Sequence, residues 1–191
     1  MSTWLLHVVG AGVMGGDIAA WCAFQGLEVT LQDRELRFIE PALARADAYF
    51  RRKFDDPRRR DEARGRLRAD VAGEGAAAAD VVIEAIFENL EAKQQLLADL
   101  ERRVPAGCVL ATNTSSIPIE DIARALADPA RLIGLHFFNP VAKLPLVEVV
   151  RTVGTSPDAL AAGLGFARQI GKLPLPCRSH PGFLVNRILA P

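Results

Sequence analysis

The chain has 191 residues, half of them hydrophobic, enough for one sizeable core and too few for two full domains. Its 23 basic and 23 acidic side chains cancel, so no overall field gathers a polyanion and nucleic acid is not an expected partner. Cys22, Cys108 and Cys177 form no Cys-x-x-Cys unit, no uncharged apolar run reaches membrane-span length, and glycines break the N-terminal apolar run; these features predict a cytoplasmic protein without membrane insertion.

Trp4 to Val9 reads as a buried strand ending in Gly10-Ala11-Gly12-Val13-Met14-Gly15. A helix face follows in Ile18, Ala19, Cys22 and Ala23, then a stop at Gly26 and a second strand from Glu28 to Asp33, together a βαβ unit. Residues 35–70 predict a charged helical pair broken near Pro57 and protruding from the sheet. Its bunched arginines, Arg51, Arg52 and Arg58 to Arg60, are interleaved with Asp55, Asp56, Asp61 and Glu62 and read as a solvated surface. Asp80 to Ile86 is a central-strand candidate, followed by a helix in which Leu90, Lys93, Leu97 and Leu100 recur near helical period. Strands are expected at 108–112, 132–136 and 146–150, with a short helix over Ile119 to Leu126 between the first two. A helix from Pro157 to Ile170, capped by Ser156, stops at Gly171; Leu173 to Cys177 is extended, and another helix begins at Gly182 and is cut at Pro191.

Strands alternating with helices predict an α/β fold: a Rossmann-like dinucleotide-binding domain, mostly parallel, with helices on both faces of the sheet. In the Gly-x-Gly-x-x-Gly turn, Gly10 permits the bend, Gly12 admits a pyrophosphate close to the backbone, and Gly15 lets helix pack on strand. By itself a glycine-rich turn without a ligand would look the same. Asp33 adds to it, closing the second strand where a carboxylate accepts the ribose hydroxyls of adenosine and repels a 2′-phosphate, which favours NAD. Arg34 beside it is the feature that could admit such a phosphate. Glu88 can orient the nicotinamide ribose, although Asn89 as a helix cap explains part of that cluster without any ligand.

His136 is placed at a strand end where ligands of this fold collect, and a histidine can move a hydroxyl proton either way. Alone it reads equally well as a core histidine. Glu148 shifts the balance, because a carboxylate inside an apolar strand needs a partner. Paired, Glu148 takes the Nδ1 proton and stabilises the imidazolium formed when Nε2 receives one. Asn113, Ser115 and their hydroxyl-bearing neighbours follow a strand end at the same rim, where a helix cap needs only one of them and a substrate or nicotinamide contact suits Ser115. Asn139, fixed by Pro140, either holds the His–Glu pair or substrate, or only shapes a turn. No metal site is expected, since the three histidines form no cluster of ligand spacing, and no Gly-x-Ser-x-Gly elbow offers a serine nucleophile.

Six stretches in order resemble the L-3-hydroxyacyl-CoA dehydrogenases of fatty-acid β-oxidation: Gly10 to Ala19, Val82 to Asn89, Asn113 to Ser116, Gly134 to Val141, Pro145 to Val149 and Pro181 to Arg187. Of these the block His136-Phe137-Phe138-Asn139-Pro140 is the most specific, and the wording is similar to the dehydrogenase part of multifunctional β-oxidation enzymes. The resemblance implies reversible oxidation of an (S)-3-hydroxyacyl-CoA to the 3-ketoacyl-CoA with NAD. A near neighbour in the family is the short-chain 3-hydroxybutyryl-CoA dehydrogenase. It implies His136 as base with Glu148 as its partner, Ser115 and Asn186 at the substrate and nicotinamide, and Asn139 supporting the dyad. Gly10, Gly12, Val13, Met14, Gly15, Asp33, Glu88, Lys93, Asn113 and Ser115 then hold the cofactor, with Lys93 also approaching CoA. Family members add a helical C-terminal domain. The expected division is an NAD-binding domain over 1–180 and, over 181–191, a linker with the first turns of that second domain, truncated here. Association as a homodimer or with other β-oxidation domains, and little activity for the isolated piece, follow from the same resemblance.

Overall fold

The structure is a computed structural model and describes residues 4–189; residues 1–3 and 190–191, including the chain end at Pro191, lie outside the described residues. Eight strands form one sheet: β1 (Leu5–Val9), β2 (Glu28–Gln32), β3 (Leu67–Ala69), β4 (Val81–Glu84), β5 (Val109–Thr112), β6 (Leu132–Phe137), β7 (Leu146–Arg151) and β8 (Leu173–Arg178). Their spatial order is β3-β2-β1-β4-β5-β6-β7-β8. The first six are parallel; β7 pairs antiparallel with β6, and β8 runs parallel to β7. The order reverses between β1 and β4, which opens a crevice at their carboxyl ends, the ligand position of open α/β sheets.

Among the described residues six α-helices lie between strands, α1 (Val13–Phe24), α2 (Leu36–Lys53), α3 (Pro57–Arg66), α4 (Leu90–Arg103), α5 (Ile119–Ala123) and α6 (Pro157–Gln169), and a seventh, α7 (Val185–Leu189), follows β8. Both faces of the sheet are covered because successive strand residues point to opposite sides. Ile83, Ala111 and Ile133 face the cluster that includes Ile18, Ile39 and Phe166 from α1, α2 and α6. Val82, Leu110 and Leu132 face Leu97 and Leu100 of α4 and Ile122 of α5.

The charged helical pair is present as α2 and α3. Ile39, Ala42, Ala46 and Phe50 bury one side of α2, whereas α3 buries only Ala63 and turns its arginines outward. Other local signals act as their chemistry requires. Ser156 accepts from Ala159 N at the start of α6, and Gly26 and Gly171, at φ +100° and +70°, follow helix ends in the left-handed region that glycine tolerates. β3, three residues long, gave no periodic signal and forms where Val29 to Leu31 offer it a ladder.

Candidate active site

At the β1–α1 turn, two of the three fingerprint glycines are required by the protein itself. Gly10 has φ +104°, and a Cβ on Gly15 would meet the Gly10 carbonyl oxygen at 1.8 Å. A Cβ on Gly12 would meet nothing within 4 Å, so packing does not demand glycine there and the space in front of it suits a ligand. Gly12 also caps α1 without a side-chain hydrogen bond, and the first turn of α1, containing Val13 and Met14, has no acidic residue. The positive end of that helix therefore keeps free N–H groups for a phosphate.

Beside this turn lies a cavity of about 530 Å³ bordered by Gly10, Gly12, Asp33, Arg34, Phe38 and Phe87 among others. Asp33 accepts from Ala11 N at 2.8 Å through Oδ2 and from Arg34 N at 2.7 Å through Oδ1. Each oxygen keeps a lone pair for a hydroxyl. The Arg34 guanidinium is 5.5 Å from the Phe38 ring centroid. These residues fit a dinucleotide with a free adenosine ribose.

At the end of β4 a buried ion network ties two loops together. Glu84, fully buried, accepts from Lys93 Nζ at 2.6 Å, from Thr112 Oγ1 at 2.6 Å and from Ile86 N at 2.7 Å. Lys93 is equally buried and also lies 3.2 Å from Glu88 and 3.0 Å from the Ile86 carbonyl. Glu88 in turn accepts from Thr114 Oγ1 at 2.6 Å and Ser116 Oγ at 2.9 Å. Burial works against the Glu88 anion, but the Thr114 hydroxyl, the Lys93 ammonium and the Ser116 hydroxyl together hold its carboxyl below the usual carboxylate range. Asn89 caps α4 through Ala92 N.

The anchors on either side of Ser115 are thus taken, while Ser115 itself is half-buried and its hydroxyl has no partner among the described residues. Asn113 donates its N–H to the Glu84 carbonyl oxygen and accepts from Phe137 N at 3.0 Å, fastening the end of β5 to the end of β6.

His136 and Glu148 face each other across the β6–β7 ladder. His136 Nδ1 is 2.6 Å from Glu148 Oε2, while Oε1 accepts from Leu184 N at 2.9 Å and Val185 N at 2.8 Å. Burial disfavours the Glu148 anion, but the imidazole and the two backbone N–H groups outweigh it and hold the carboxyl below its ordinary range. The imidazole is 8% exposed and flanked by Phe138 and Phe183, with ring centroids at 4.6 and 5.5 Å. Its Nε2 has no partner among the described residues, so one ring nitrogen is fixed and the other is available for proton exchange. Asn139, two residues past β6, and Asn186, directly after Val185, are exposed and have no side-chain hydrogen bond among the described residues.

The structure therefore brings the glycine turn, Asp33, Glu88, Ser115 and the His136–Glu148 pair to one edge of the sheet. It places Lys93 inside that edge as the counter-ion of two carboxylates. Glu84 and Thr112, expected from sequence among the polar groups at the crevice rim, are instead fully buried beneath it, and the Leu184 and Val185 N–H groups were not singled out. Glu84 and Lys93 did carry a signal, each being a charge at a position whose period is otherwise apolar. The backbone donors carry none, because they depend on where the chain returns after β8.

A second cavity, about 500 Å³, lies between α1, α2 and the loop after His136. Its lining includes Arg45, Arg52, Lys53, Lys143, Trp21 and Tyr49, with Pro140 to Ala142 on the loop side.

Residues 6–180 match the model of the 3-hydroxyacyl-CoA dehydrogenase NAD binding domain. The chain belongs to that family. Among solved structures, Mycobacterium tuberculosis FadB2 is 39% identical with a TM-score of 0.93, over 99% of this chain and 68% of its own. The 3-hydroxybutyryl-CoA dehydrogenase of Escherichia coli K12 is 36% identical with a TM-score of 0.92, over 98% of this chain and 41% of its own. The dehydrogenase part of multifunctional enzyme 1 from Caenorhabditis elegans is 28% identical with a TM-score of 0.81, over 92% of this chain and 41% of its own. A 3-hydroxyacyl-CoA dehydrogenase domain of this family takes NAD as its cofactor, and the open Gly12 face, the free N-terminus of α1 and the Asp33 carboxylate fit such a group. No helix among the described residues is long and apolar enough to cross a membrane.

Proposed function

We propose that the protein oxidises an (S)-3-hydroxyacyl-CoA to the 3-ketoacyl-CoA, the dehydrogenation step of β-oxidation, with NAD as hydride acceptor. The observation that carries this reading is the 2.6 Å His136–Glu148 contact at the sheet edge that also holds the glycine turn. Bound NAD supplies an electron-poor nicotinamide ring to receive the hydride from C3 of the substrate. His136 Nε2 takes the C3-hydroxyl proton as general base, and Glu148, anchored by two backbone N–H groups, fixes Nδ1–H and stabilises the imidazolium that results.

Gly12, the α1 N-terminus and Asp33 hold the dinucleotide. Glu88 orients the nicotinamide ribose within reach of the Thr114 and Ser116 hydroxyls, and Ser115, Asn139 and Asn186 present their free polar groups to substrate and nicotinamide. Lys93 acts from behind by holding Glu88 in place. The second cavity, with four cations and two aromatic rings beside the loop that follows His136, suits the phosphates and adenine of coenzyme A. The segment over 181–189 leads into a helical C-terminal domain that completes the acyl cleft and, as homodimer or with other β-oxidation domains, the assembly. The exposed Ile188 and Leu189 at the end of α7 support this.

Initial rates of NADH formation in the full-length protein, over (S)-3-hydroxyacyl-CoA substrates of increasing chain length with NAD and with NADP, test the reading. Turnover with NAD well above NADP is expected. Activity confined to the shortest acyl chain selects a short-chain 3-hydroxybutyryl-CoA dehydrogenase of the E. coli kind. A strong NADP preference, or no oxidation of any chain length, contradicts the proposal.

A further inference from the structure

Lys172 lies between α6 and β8, buried at 4% exposure. Its ammonium donates to the Val141 carbonyl oxygen and, at 2.7 Å, to that of Leu144, and it lies 4.1 Å from the centroid of the Trp21 ring. No carboxylate comes within ion-pair distance of it among the described residues. Burial accordingly pulls its pKa below the ordinary lysine value. A cation left without a counter-ion needs its carbonyls and its π face, so those three groups are drawn together around it.

What those groups belong to gives the lysine its consequence. Val141 and Leu144 lie in the loop joining β6 to β7, the link between His136 and Glu148. Pro140 to Lys143 of that loop form one wall of the cavity whose lining also includes Arg45 and Arg52, and Trp21 of α1 forms another. Two further bonds hold the same corner: Trp21 Nε1 donates to the Ile170 carbonyl at 2.8 Å, and Leu173 N donates to that of Pro145 at 2.7 Å. Lys172 itself is behind both walls and does not line the cavity.

We propose that Lys172 is a positioning residue that sets the shape of the coenzyme A cavity by holding its Pro140–Lys143 wall against its Trp21 wall. This rests on reading that cavity as the coenzyme A site of the proposed dehydrogenase. Lys172 touches neither substrate nor cofactor and acts through the loop and the indole.

The test uses Lys172→Met in the full-length protein with Trp4→Phe, which leaves Trp21 as the reporter among the residues of this chain. Trp21 emission is titrated with coenzyme A and with NAD, and steady-state rates are measured with (S)-3-hydroxybutyryl-CoA. The expected result is a changed Trp21 emission in the free protein and a rise of roughly tenfold in both the coenzyme A Kd and the substrate KM. The kcat and the NAD affinity stay within about twofold. A wild-type protein that binds coenzyme A, with Lys172→Met leaving Kd and KM unchanged, overturns this inference alone. A wild-type protein that binds no coenzyme A overturns it together with the function on which it rests. Lys172→Gln, which removes the cation beside the Trp21 ring but leaves every cavity-lining residue in place, is the second variant should Lys172→Met not fold; a KM raised with NAD affinity retained supports the proposal, whereas an unchanged KM overturns it.

Discussion

Glu84 and Glu148 are both fully buried carboxylates in strands, and each lies 2.6 Å from a basic partner. Their partners differ in what they leave open. Lys93 spends its ammonium on hydrogen bonds to Glu84 and the Ile86 carbonyl and on an ion pair with Glu88, and it is fully buried among them. His136 commits only Nδ1 and leaves Nε2 without a partner among the described residues. A buried ion pair is a fixture when its cation is enclosed by acceptors, and it has the free atom that the proposed proton transfer needs when one titratable nitrogen is left without a partner.

The first way to break this comparison is to remove one member of the closed pair. Lys93→Met leaves Glu84 buried without its cation and is expected to cost about 3–5 kcal/mol of stability, read by denaturant unfolding. Adding Glu84→Gln to it recovers part of the loss if the two residues act as one unit. A loss for Lys93→Met below about 1 kcal/mol, typical of an exposed pair, would mean that the network carries little of the fold.

A smaller effect separates glycines kept for the fold from the one that faces a ligand. Gly12→Ala is expected to change stability by at most about 1 kcal/mol, since only its cap position suffers, while NAD affinity measured by calorimetry falls roughly tenfold or more. Gly15→Ala forces a methyl onto the Gly10 carbonyl and is expected to destabilise the domain by about 1–3 kcal/mol or more. Equal stability losses at the two positions would sink the assignment of the Gly12 face to the pyrophosphate.

The cofactor half of the molecule was legible in the sequence because its chemistry is local. The turn from Gly10 to Gly15 and Asp33 belong to one βαβ unit, and their spacing alone places them. The His136–Glu148 contact was legible too, since Glu148 sits in an apolar strand and His136 near a strand end, and the antiparallel register sets them face to face. What was not legible is non-local. The two N–H groups on Glu148 arrive 36 and 37 residues later in the chain, and Lys172 reaches back 31 residues to Val141. No pattern in Gly171-Lys172-Leu173 marks that contact. Lys93 stood in an apolar helical stripe and Glu84 in an apolar strand, so the reasoning that paired Glu148 with His136 would have paired them too.

The most direct test of the central claim, that His136 is the base and Glu148 only its support, is hydride transfer from (S)-3-hydroxybutyryl-CoA to NAD in the full-length protein, compared between wild type and His136→Gln alongside an NAD titration. The account predicts a fall of roughly 10²- to 10⁴-fold in turnover with NAD affinity unchanged. Turnover within a few-fold of wild type, or NAD affinity lost in step with turnover, would contradict it.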